Sequence, residues 1–283
     1  ATGDSSKTLS KNSENDKENI KEAGGSWQYD ITYGSDAGKE GMKQTGDWRN
    51  IMILMAYVDG FKLKNVNIEK THCWAVSHER VLNADISDIR LNNPGGWQII
   101  NGKKQYVENR DGINLRQGCK NFRIDNIYGV AGDDFIALSS LGVNSEREGG
   151  SINSTMLTSP RWRGTEDDTE RIVITNINCL TPQWGVAIRA NDMASINDVY
   201  INGLFYEAGD YQTIRVGDSL FLQYDRLPQW RRVEAIGVCM PGYGRASQPG
   251  KINNIHFINI FGDGGGGLIR ISGPVANCSF TNG

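Results

Sequence analysis

With 283 residues, 38% of them hydrophobic and 22% charged, the chain can build one large elongated domain or two small ones. Its formal net charge of -3 gives no reason to expect a nucleic-acid partner. No apolar run is long enough to cross a bilayer as a helix, and 34 glycines against 7 prolines suit a turn-rich all-β chain better than a helical one.

Residues 1–24 carry one Ile, one Leu and no aromatic residue among Lys, Glu, Asp, Asn and Ser. Such a segment buries too little apolar surface to offset its ordering entropy, so a flexible polar linker is expected here. The chain opens at Ala1 directly on this tail, as a processed chain or a piece of a longer surface protein would. Residues 25–283 are expected to form the folded domain.

Within it a short unit recurs: apolar, any, apolar, any, Asn/Asp/Gly, apolar. The copies begin at Phe61, Ala84, Phe122, Ile172, Val199 and Ile255. Alternation of period two means strand, and the Asn, Asp or Gly marks a bend. Val66 and Ile89, at equivalent places, are 23 residues apart, and Ile177 and Leu204 are 27 apart. A period in the twenties built from strands predicts a parallel β-helix, a β-solenoid. A second set of short strands lies between the copies: Trp74-Ala75-Val76, Trp97-Gln98-Ile99, Gly112 to Leu115, Phe135 to Leu138, Gly185 to Ile188, Thr213 to Val216 and Leu268 to Ile271. Ile113/Leu115, Ile136/Leu138, Val186/Ile188 and Ile214/Val216 are expected to stack inward. The polar, Gly-rich segments 140–170 and 218–250 are expected to leave the coil as long loops bordering a site.

In that register Asp111 falls one coil below Asp134, 23 residues away, with Asp133 beside both. Packed carboxylates raise at least one pKa, and a protonated acid beside an ionised base is what glycoside hydrolysis needs. Cys73, Cys119, Cys179, Cys239 and Cys278 form no Cys-x-x-Cys pair and are expected to be buried packing residues, while His72, His78 and His256 are scattered. No metal and no cofactor is expected.

The stretches Asn109-Arg110-Asp111-Gly112-Ile113 and Gly132-Asp133-Asp134-Phe135-Ile136-Ala137-Leu138 resemble the paired motifs of family 28 glycoside hydrolases, the polygalacturonases and rhamnogalacturonases. Thr71-His72-Cys73-Trp74-Ala75-Val76 is similar to an upstream strand of that family, and the likeness spans roughly residues 46–217. The resemblance implies a right-handed parallel β-helix of the pectin-lyase-like superfamily and hydrolysis of a polysaccharide. It implies Asp134 as general acid, with Asp111 and Asp133 handling the water. Two places depart from the pattern. Trp184, in Gln183-Trp184-Gly185, stands where the family has a histidine; Arg215-Val216-Gly217 keeps an arginine and lacks the lysine that together hold the substrate carboxylate in polygalacturonases.

Arg189, Arg116 and Arg270 would face outward beside Arg215, and such a row of arginines can grip a carboxylate or sulfate, favouring an acidic, pectin-like substrate. Trp184 would offer a stacking surface for sugar. The chain therefore reads as a secreted or cell-surface glycoside hydrolase without membrane insertion. A polysaccharide lyase, in which the aspartates would bind Ca²⁺, and a glycan-binding adhesin with a decayed site are the alternatives on the same fold.

Overall fold

The structure is a computed structural model that describes residues 48, 51–71, 73–100, 103–107, 110–144, 156–191, 193–216, 219–226, 233–239, 247–263 and 267–283. The expected linker, residues 1–24, lies outside the described residues, as does His72.

The chain winds as a right-handed parallel β-helix in which each coil gives one strand to each of two sheets. The first coil holds β1 (Ile53–Ala56) and β2 (Lys62–Glu69), the second β3 (Val76–Glu79) and β4 (Leu82–Asn93). A hairpin of β5 (Gly96–Ile100) and β6 (Lys103–Val107) follows. Then come β7 (Ile113–Arg116) with β8 (Lys120–Ala131), β9 (Ile136–Ser140) with β10 (Thr169–Thr181), and β11 (Val186–Ala190) with β12 (Ile196–Val216). The strand β13 (Ser219–Arg226) folds back antiparallel on the far end of β12. The last coils hold β14 (Ile236–Val238) with β15 (Ile252–Asp263), and β16 (Ile269–Ile271) with β17 (Ala276–Thr281). The first sheet runs β1-β3-β7-β9-β11-β14-β16 and the second β2-β4-β8-β10-β12-β15-β17, with β13 attached to β12.

The recurring unit has a backbone cause. Asn65, Asp88, Asn126, Asn176, Gly203 and Asn259 all have φ between 54° and 80°, the left-handed region. Asn and Asp tolerate it because their short side chains find local hydrogen bonds. A left-handed residue breaks the period of two, so the residues flanking the corner, Ile124 and Ile127 in β8, are both buried. The corner side chains also bond from coil to coil: Asn126 Nδ2 donates to Asp88 Oδ1 at 2.7 Å, and Asn259 Nδ2 to Asn202 Oδ1 at 2.9 Å. Inside, Ile86, Ile124, Ile174, Ile201 and Phe257 stack in register, facing a column of Val76, Ile113, Ile136, Val186 and Ile236. At roughly 25 cal/mol per Å² of apolar surface removed from water, these columns are the main favourable term holding the coils together.

The structure corrects the expected coil in three places. Thr213 to Val216 is not a coil strand: it belongs to the β12–β13 hairpin, and Val216 is 59% exposed rather than stacked inward. Its place in the first sheet is taken by Ile236 and Val238 of β14, which pair with Val186 and Ile188. The segment 218–250 therefore returns to the coil midway instead of looping out throughout. Trp97-Gln98-Ile99 likewise lies in an antiparallel hairpin. Hairpin and coil strands share one alternating pattern, so propensity cannot separate them. Among the cysteines, Cys278 is exposed and the other four are buried.

Candidate active site

The outward face of the first sheet carries its side chains in rows across the coils. Trp74, Asp111, Asp134, Trp184 and Glu234 occupy one row, each two residues before a paired strand residue (Val76, Ile113, Ile136, Val186 and Ile236). The next outward row is Ser77, Asn114, Ala137, Ala187, Gly237 and Arg270, and the one after it holds Glu79, Arg116, Ser139 and Arg189. Adjacent members stand about 4.8 Å apart, the spacing of neighbouring strands. Gly112 keeps the first row tight: a Cβ there would lie 2.3 Å from the Phe135 carbonyl oxygen.

Asp111 and Asp134 are thus brought side by side, and the Gly112 amide donates to the Asp134 carbonyl at 3.0 Å. They are 6% and 4% exposed, whereas Asp133 is half-buried. The Asp133 carboxylate accepts the Asp134 amide at 2.9 Å, and the Thr181 hydroxyl donates to the Asp133 carbonyl. Burial drives the Asp111 carboxyl well above its usual range, the charges of Asp133 and Asp134 push it further, and Asn114 and Arg189 oppose this in part. Asp134 forms an ion pair with Arg189, Oδ2 to Nη1 at 2.7 Å. Its other oxygen, Oδ1, is buried and finds no hydrogen-bond partner among the described residues.

The expected binding residues divide. Arg189 reaches the cluster through Asp134. Arg116 faces outward but is buried, its guanidinium 5.0 Å from the centre of the Trp74 ring. Arg270 is exposed on β16, three coils beyond β9 in its row. Arg215 pairs with Leu220 in the β12–β13 hairpin and so leaves the strip; its side chain lies outside the described residues. The coil after β11 presents Gly237 where the resemblance placed an arginine strand, with Ala235 in the core. Trp184 is on the strip, but at 5% exposure its ring is occupied in packing with Ala137, Ala187 and Val233 and leaves little face for a sugar.

His78, which the sequence places near the carboxylates, points the other way. It is fully buried in the core edge-to-face with Phe61 and Phe122, and burial pulls its pKa from 6.5 down to about 4. Glu234 was missed because it lies in the expected loop 218–250. The alternation Ala235-Ile236-Gly237-Val238 is the signal that could have found it. Glu234 Oε2 is buried without a partner among the described residues. Tyr206 was missed too; its hydroxyl donates to the carbonyls of Gln183 at 3.0 Å and Val233 at 3.3 Å, fixing the heads of β11 and β14.

Chain segments leave the coil at both edges of the first sheet. The β5–β6 and β12–β13 hairpins leave the coil before Asp111 and Glu234 respectively. On the opposite side, residues 156–168 dock on buried charges. Glu79 accepts the amides of Leu157 at 2.9 Å and Thr158 at 2.7 Å, and Arg80 pairs with Asp167 at 2.7 Å.

The family model for glycosyl hydrolases family 28 matches residues 16–154. The match holds all three aspartates, ends before Trp184, and begins inside the segment read as a linker. Covering just under half of the chain, it is consistent with a family 28 glycoside hydrolase-like member of the pectin-lyase-like superfamily and supports a glycosidase acting on a polysaccharide. No curated protein and no solved structure matches the chain.

Proposed function

We propose that this family 28 glycoside hydrolase-like chain cleaves a polysaccharide outside the cell with Asp111, Asp133 and Asp134 as its acid and base groups. The observation that carries the reading is the cluster itself: three carboxylates on two adjacent coils, one of them driven to hold its proton by burial and by the other two. Such a cluster retains one proton as a unit above the ordinary carboxylate range. Asp133 is the least buried of the three, so the proton that the cluster shares passes through it to the leaving oxygen. Asp134, already ion-paired to Arg189, acts as a carboxylate. With Asp111 it holds the attacking water and takes its proton as the glycosidic bond breaks. This exchanges the roles that sequence resemblance gives Asp133 and Asp134, and the Arg189 ion pair is the reason.

The test is a product assay on acidic and neutral polysaccharides with the wild type, Asp133→Asn and Asp134→Asn. Reducing ends should form with the wild type and fall by roughly 10²–10⁴-fold in each variant, the usual worth of a positioned proton-transfer group. Full turnover by either variant overturns the assignment. An unsaturated, ultraviolet-absorbing product would instead identify a lyase, and binding without turnover a recognition module.

A further inference from the structure

Of the four arginines expected to grip an anionic substrate, Arg189 and Arg116 are already engaged, and Arg215 lies in the β12–β13 hairpin. Arg189 is held by Asp134, Arg116 lies buried over Trp74, and Arg110 donates to the Pro94 carbonyl at 2.9 Å. On the coil after β11 the outward positions are Gly237, which carries no side chain, and the residue heading that coil, an acid, Glu234, while Ala235 lies in the core. Arg270 is exposed, but three coils from Ala137 at about 4.8 Å each it stands about 14 Å away. Among the described residues, Asp134 Oδ1 and Glu234 Oε2 are buried oxygen atoms in the aspartate row without a hydrogen-bond partner. Carboxylate oxygens only accept, so what completes them must donate.

From this we propose that the sugar bound along the aspartate row is neutral, its hydroxyls donating to Asp134 and, two coils on at about 10 Å, to Glu234, and that Glu234 selects against uronic acids there. A uronate would bring a third carboxylate against two acceptors that are short of donors, and like charges placed face to face reject a partner strongly. A hexose or deoxyhexose hydroxyl satisfies the same oxygens without that cost. The inference rests on the hydrolase reading for its site, but concerns what the site admits.

The decisive comparison uses matched pairs of glycans: uronic polysaccharides such as polygalacturonate, each beside its own carboxyl-reduced form, which differ only in that charge. Turnover is read as reducing ends with the wild type, and binding by affinity electrophoresis with Asp133→Asn. The reduced member of at least one pair should be preferred by about 10-fold or more, the ratio given by roughly 1.4 kcal/mol of like-charge repulsion. Glu234→Gln should narrow that preference. Equal or better use of the acidic member in every responding pair, or binding of neither member of any pair, overturns the inference. The two proposals fail separately: turnover of the acidic member alone keeps the hydrolase and removes the neutral subsite, whereas binding of the reduced member without turnover does the reverse.

Discussion

Removing the imidazole buried in the core should flatten part of the acid sensitivity of this fold. His78 sits between Phe61 and Phe122 with its Nδ1 3.1 Å from the Asn114 carbonyl oxygen, and its pKa is lowered from 6.5 to about 4 by burial. A base with a depressed folded pKa keeps its full contribution above the unfolded value. It loses stability as pH falls from 6.5 to about 4, because the unfolded chain takes up the proton first. A tenfold difference in proton affinity between the folded and unfolded chain is worth about 1.4 kcal/mol, so linkage gives a loss of about 2 kcal/mol by pH 5 and about 3 kcal/mol by pH 4. Asp111 works in the opposite sense. Its raised pKa makes stability fall as pH rises from the ordinary carboxylate range through the folded value, so acidification restores it. The measurement must therefore be a difference. Urea unfolding of the wild type and of His78→Phe is followed at pH 7, 6 and 5. His78→Phe removes the titration and keeps an aromatic ring in the cleft between Phe61 and Phe122. The wild type should lose about 2 kcal/mol relative to the variant between pH 7 and 5. A difference that stays constant with pH would refute the reasoning and mean that the imidazole is not held in its neutral form.

Three further outcomes follow from packing and charge. Asp167→Asn leaves the buried Arg80 without its charge partner and should cost about 3–5 kcal/mol, visible as faster proteolysis within 156–168. Asp167 has a lowered pKa, so its contribution is present above the ordinary Asp value and is lost as pH falls through the folded one. Gly129→Ala meets a φ of 124° and would set a Cβ 2.0 Å from the Leu91 carbonyl oxygen; a loss of at least about 2 kcal/mol in unfolding free energy, read from the denaturant midpoint, is expected. A thiol reagent should label Cys278 alone in the folded chain, since Cys73, Cys119, Cys179 and Cys239 are buried, and all five once urea unfolds it.

How much of this was legible beforehand follows from what each pattern encodes. The repeat unit carries its own geometry: alternation sets the strand, and a residue that tolerates the left-handed region sets the corner, so the coil and the second sheet could be read from Phe61, Ala84 or Phe122 onward. The register of Ile113 on Ile136 then placed Asp111 beside Asp134, because side-chain direction in a strand has a period of two and a parallel pair transmits it to the next coil. The order of coils after β11 was not legible. Thr213 to Val216 and Ala235 to Val238 are both short alternating strands, and only long-range pairing decides that the first is a hairpin arm and the second a member of the sheet. That choice removed Arg215 from the strip and put Glu234 on it. Nor could the sequence say what an outward arginine touches: Arg189 meets Asp134 and Arg116 is buried over Trp74 through neighbours 55 and 42 residues away, distances over which no local pattern carries information. The sequence by itself thus determined the solenoid and the aspartate register, since both arise from backbone preferences repeated coil by coil. The tertiary structure alone decided which charges on the outward strip are paired or buried, since those depend on contacts between segments far apart in the chain.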